Sequence, residues 1–170
     1  MRTLKTASVL SLASFLILLS ACGRNSVEQT MEQQIEQGTG GSANVDLNAD
    51  GSMHVETKDG TYNTGNNQLP KDWPEDAPIF AGATIQFSGS ANPSAGKPGA
   101  AAVLMTTSSA ADVMAFYTAE LKKQGWTVSS TMESQGTTII GATKGTRALS
   151  LLVGSVDGGQ TSITIGVGEQ

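Results

Sequence analysis

Along the C-terminal part of the chain apolar and polar side chains alternate. Apolar residues recur at every second position in Trp126/Val128, Leu149/Leu151/Val153 and Ile163/Ile165/Val167, the period of a strand with one buried face. The predicted strands there run over 126–132, 137–143, 147–153 and 161–167, with turn residues between them. Two more are predicted upstream, over 83–89 and 100–107, flanking a loop at 90–99 rich in Gly, Pro, Ser and Asn. Between them and the later strands the period lengthens. Val113, Phe116, Tyr117 and Leu121 fall on one stripe of a helix, and Ser109 with Asp112 forms a capping box at its start. Lys122 and Lys123 suit its negative end, and Gly125 suits a left-handed stop. The expected architecture is α+β: one helix packed on a five- or six-stranded, mostly antiparallel sheet.

A polar β-hairpin and a Pro-rich strap are expected before this unit. With Ala49-Asp50-Gly51 as a three-residue loop, Asn48 pairs with Ser52. Leu47 then faces Met53 and Val45 faces Val55 on one side, and Asp46 meets His54 on the other. Asp59-Gly60 marks a second tight turn into a third strand over 61–64. From 66 to 82, Leu69-Pro70, Trp73-Pro74 and Ala77-Pro78 restrict each residue before a proline to extended geometry. This predicts an irregular strap with Trp73, Ile79 and Phe80 as apolar anchors, and Trp73 and Phe80 form a candidate binding surface.

The beginning of the chain has a different pattern. Arg2 and Lys5 precede an apolar run from Ala7 to Leu19, and Leu19-Ser20-Ala21-Cys22 follows. A short positive segment, about a dozen apolar residues and small residues at the end make a secretory signal. The run is too short for a transmembrane helix of about 20 residues. Residues 23–43 read as a hydrated tether: Val27, Met31 and Ile35 share one helical stripe, but Glu28, Glu32 and Glu36 repel one another at the same spacing. The expected organisation is a signal peptide at 1–21, a tether at 22–43, a hairpin region at 44–66 and the α+β domain at 67–170.

The motif at 19–22 resembles the lipobox of bacterial lipoprotein precursors. The resemblance implies cleavage between Ala21 and Cys22, palmitate-type acylation of the Cys22 sulfur and anchoring in the cell envelope. Gly23 after the cysteine implies the outer membrane in a Gram-negative host; otherwise the site is the outer face of the cytoplasmic membrane. Two or more acyl chains anchor stably where one does not. Downstream, Pro70, Pro74 and Pro78 leading into Phe80-Ala81-Gly82-Ala83, then Ala115-Phe116-Tyr117 and Gly125-Trp126, are similar to a recurrent domain of uncharacterised bacterial lipoproteins and secreted proteins. That resemblance carries no activity.

Charge narrows the partners. Without residues 1–21 the chain holds 8 basic and 15 acidic side chains, a net charge of −7, so the Lys/Arg neutralisation that drives nucleic-acid binding is missing. The expected partners are the membrane, through the lipid, and an envelope protein or cell-wall component; no nucleic acid and no cofactor are expected. His54 is the only histidine and Cys22 the only cysteine, so Ser/His/Asp, Cys/His and zinc chemistry lack their parts. No enzyme activity is therefore expected. An enzyme using carboxylates in a cleft is the alternative, with His54 and Asp46 its best residues and Asp72, Glu75 and Asp76 clustered on the strap. A weak calcium site is another: Asp46, Asn48, Asp50 and Gly51 match the opening of a calcium loop, but Thr57 stands where the bidentate carboxylate belongs.

Overall fold

A computed structural model describes residues 43–92 and 96–170, with Thr30, Gln33, Gln34 and Gln37 before them in helical conformation and exposed. The signal peptide, Ala21, Cys22 and most of the tether lie outside the described residues. Nine strands follow in chain order: β1 (Ala43–Leu47), β2 (Met53–Thr57), β3 (Gly60–Thr64), β4 (Thr84–Ala91), β5 (Gly99–Thr106), β6 (Thr127–Ser134), β7 (Thr137–Lys144), β8 (Arg147–Val156) and β9 (Gln160–Glu169). One helix, α1 (Ala110–Lys123), joins β5 to β6. All nine strands form one sheet in the order β1-β2-β3-β4-β5-β9-β8-β7-β6, and every pairing is antiparallel.

This overturns the expected five- or six-stranded sheet with a separate ribbon in front of it. The hairpin has the expected register, with Val45 opposite Val55 and Leu47 opposite Met53, and Gly51 turns it at φ 83°. The chain does not stop there, because β3 pairs with β4 over five residues. The seam is polar: the Asn63 amide N–H donates to Ser88 Oγ at 3.3 Å across it. A polar ribbon looks detached in sequence because a core strand is expected to be apolar on one face. Here the neighbouring strand is polar on the same face and matches it.

The helix sits on one side of the sheet, hereafter the helix side. Val113, Tyr117 and Leu121 are fully buried against Leu104, Leu149, Leu151, Ile163 and Ile165, the side chains that the alternation selects on β5, β8 and β9. Its ends form as their residues dictate. Ser109 Oγ accepts the Asp112 backbone N–H and donates to its carboxylate. At the other end Trp126 N–H reaches back to Leu121 C=O at 2.8 Å and Gly125 N–H to Lys122 C=O, with Gly125 at φ 81°, a Schellman stop that needs glycine's left-handed freedom.

Residues 66–83 form the strap, with neither helix nor strand. It is fastened by hydrogen bonds on the helix side. A register shift between Ile85 and Phe87 marks a bulge in β4, and Asn67 Oδ1 accepts the Ile85 N–H at 2.7 Å. Ser88 Oγ donates to Gln68 C=O and Ser90 Oγ to Asp72 Oδ1. Farther on, Asp76 receives Lys144 Nζ at 2.6 Å and both guanidinium nitrogens of Arg147, while Trp126 Nε1–H donates to Asp76 C=O at 2.7 Å.

One buried group is unsatisfied. Tyr117 is fully buried and its hydroxyl approaches the Phe80 backbone without completing a hydrogen bond; burial pushes its pKa to about 12. An unpaired buried hydroxyl costs about 1–3 kcal/mol. Tyr117→Phe is therefore expected to leave stability unchanged or to raise it by about 1 kcal/mol in urea unfolding. A loss above 1 kcal/mol would show that the hydroxyl has a partner.

Candidate functional site

A groove of about 220 Å³ opens between β2–β3 and the strap, lined by His54, Glu56, Thr61, Asn63 and residues 68–72. The hydrogen bonds beside it run in one direction, which assigns the donor in the His54 contact. Ser88 spends its proton on the Gln68 carbonyl, so its oxygen accepts the Asn63 N–H. The Asn63 carbonyl oxygen must then face His54 Nδ1, 2.6 Å away, and also takes the Asn66 N–H. His54 Nδ1 accordingly donates in this bond. The imidazole's partner is an amide, which orients the ring but cannot compensate an imidazolium as a carboxylate does. The groove offers hydrogen bonding without a charge-relay pair.

The second feature is the face turned away from the helix, the open face. Side chains alternate across a sheet and directly paired residues share a face, so the registers assign every strand position. Asp46, His54, Glu56, Glu133, Lys144, Arg147 and Glu169 all fall on the helix side. No strand position on the open face carries a charged side chain; Tyr62 is its one titratable group. One row of directly paired residues crosses the whole face: Leu47, Met53, Thr64, Phe87, Val103, Thr164, Leu152, Ile139 and Met132. Beside it, from β4 to β6, lies a row of small residues: Gly89, Ala101, Gly166, Ser150, Gly141 and Ser130. Neither α1 nor the strap packs on this face. Val45 on β1 is buried, Tyr62 on β3 is 39% exposed and Met132 on the opposite edge strand β6 is 60% exposed.

The residues singled out in the sequence are dispersed. Trp73 and Phe80 are partly buried against the core: Trp73 Nε1–H donates to Ala77 C=O, and the Phe80 ring meets Phe116 edge-on at 5.2 Å. Asp46 pairs across the hairpin with His54, whose hydrogen bond goes to Asn63 on the other side. Asp50 accepts the Ser52 N–H, which holds its carboxyl below the usual carboxylate range, and Asn48 donates to Ser52 Oγ. Among the described residues no group of three or more His, Cys, Asp or Glu is placed to hold a metal ion. Asp76 serves the strap; Asp72 holds Ser90 at the groove's edge. Sequence reasoning missed the uncharged face, whose local signal is thin: only β2 carries two charged or imidazole side chains, His54 and Glu56, at the same parity, and the other strands carry at most one ionisable residue each.

Fold and faces together define a class: an antiparallel sheet that holds one helix on one side and leaves its other side smooth and uncharged. A family model described as START domain-like matches residues 86–164. The match runs from within β4, through α1, into β9, a little under half of the chain, and leaves β1–β3 and the strap outside it. No curated protein and no solved structure shows a significant match.

Proposed function

We propose that this chain is a lipid-anchored cell-envelope protein whose sheet domain works by contact, without catalysis. The observation that carries the contact reading is the open face, where nine strands present apolar, small and hydroxyl side chains and no charge. Exposed apolar surface of this extent marks interaction sites. The groove is the place an enzyme would use, and its only imidazole is tied to an amide. The anchor rests on the Arg2/Lys5 start, the apolar run and the motif ending in Cys22. Cys22→Ser in the full chain is expected to abolish palmitate incorporation and move the protein from the membrane fraction to the soluble one. Unchanged labelling and fractionation would refute the anchor.

A second reading comes from the family match. START domains bind hydrophobic ligands, and the unsatisfied Tyr117 hydroxyl beneath the helix could meet the polar end of one. Against it, Val113, Tyr117 and Leu121 fill that space with no exposure, so a ligand would have to displace α1. On this reading a fatty acid raises the melting temperature of the wild-type protein more than that of Tyr117→Phe.

A further inference from the structure

We propose that the part of the open face formed by β4, β5, β9, β8, β7 and β6 docks onto the same face of a second copy of this chain. The proposal rests on the contact reading above and commits it to one partner. Its first support is shape. The large side chains Phe87, Val103, Leu152, Ile139 and Met132 make a ridge running across the strands. The small-residue row runs parallel to it as a trough, and on the ridge's other side a hollow of about 220 Å³ opens around Gly154, Ser162 and Thr137. A two-fold axis lying in the face, parallel to the two rows and midway between them, sets the ridge of each copy into the trough of the other. Such a contact is self-complementary and closes after two copies.

Glycine supplies the second support. In a strand interior it weakens the strand and often marks a place where another backbone comes close. Gly89, Gly141 and Gly154 have explanations within the chain, since a Cβ there would come within 3 Å of Tyr62, Ser130 or Thr137. Gly166 has none. A Cβ on it would meet only Ala100 O at 3.9 Å, an ordinary contact. It lies at the centre of the trough, between Ala101 and Ser150, where a partner's ridge would pass.

Charge and area agree. Two copies of an acidic chain repel except where their charges are absent, and on the strands that is this face alone. Six strands about 4.8 Å apart and three rows of side chains cover on the order of 600 Å² per copy. The total of about 1,200 Å² is at the lower limit for a stable interface.

The test is photo-crosslinking of the full chain in cells, with p-benzoylphenylalanine in place of Ser162, and in place of the outward-facing Thr118 on α1 as control. The expected product is a species of twice the monomer mass from Ser162 and not from Thr118. Gly166→Val, and separately Ser150→Lys at an exposed position, should each reduce that product at least tenfold while the circular-dichroism spectrum of the purified protein is unchanged. A monomer-only result, or a dimer indifferent to both variants, overturns the proposal. Crosslinks from Ser162 to a different protein overturn it too, yet leave the contact reading standing; no crosslink from Ser162 to any partner counts against both.

Discussion

Replacing Trp126 with alanine is expected to cost about 3–5 kcal/mol in urea unfolding, the range for truncating a buried large aromatic. Trp126 is 4% exposed although it stands just before the edge strand β6, because three elements meet on it. The helix ends on its N–H, the strap takes its indole N–H through Asp76 C=O, and the Arg147 guanidinium lies 5.2 Å from the ring centroid. Domains of this kind are stable by about 5–15 kcal/mol in all, so one truncation removes a large fraction. Trp126→Phe separates packing from bonding: it keeps most of the buried area, loses the indole N–H, and should cost about 1–2 kcal/mol for the Asp76 carbonyl left unpaired. A loss below 1 kcal/mol for the alanine variant would show that the strap does not depend on this residue.

Acid is expected to release the same corner of the fold. The Arg147 hydrogen bonds, with help from Lys144 and against partial burial, lower the Asp76 pKa from the usual 3.8 to about 2. A carboxylate with a depressed folded-state pKa contributes stability that is present above the unfolded value and is lost as the pH falls through the folded one. The window is therefore about pH 4 down to pH 2. A shift of this size corresponds to about 2 kcal/mol. The Asp76 side chain is 19% exposed, and Lys144 and Arg147 about a third, so salt should reduce the effect without abolishing it. Asp76→Asn is expected to lose about 2 kcal/mol at pH 7 and to show a flatter stability curve between pH 4 and pH 2 than wild type. Equal slopes in that window would place the acid sensitivity on other carboxylates. Because the Arg147 guanidinium both bonds the Asp76 carboxylate and lies over the Trp126 ring, the double variant should lose less than the sum of the two.

The local elements were legible in sequence because each rests on short-range chemistry. The Ser109 cap, the Gly125 stop, the stripe through Val113, Tyr117 and Leu121, and the hairpin register set by Ala49-Asp50-Gly51 depend on neighbours a few positions away. Sheet extent was not legible, because it depends on which strand edges meet. Nothing local in Tyr62 or Gly89 announces that they stand opposite one another. The hairpin's two faces were assigned correctly relative to each other, but an apolar face is expected to turn toward a core. Here Val45, Leu47, Met53 and Val55 point to the open face, and Asp46, His54 and Glu56 to the helix side, where the strap and its hydrogen bonds accommodate polar groups. The groove was hidden for the same reason: His54 needed Asn63, nine residues later, Asn63 needed Ser88, and Ser88 needed the Gln68 carbonyl of the strap.

Segregating every charged strand residue on one side has an electrical consequence. The domain's charge centre is displaced from its geometric centre, toward the surface that carries α1 and the strap; the helix is neutral overall, and the strap's Asp72, Glu75 and Asp76 outnumber Lys71. Close to an anionic bilayer, within about 10 Å at ordinary salt, such a body experiences a torque as well as a repulsion. Its acidic side swings outward and its neutral side turns toward the lipid, so on the anchored reading proposed above a single copy has a preferred orientation even with no specific contact to fix it.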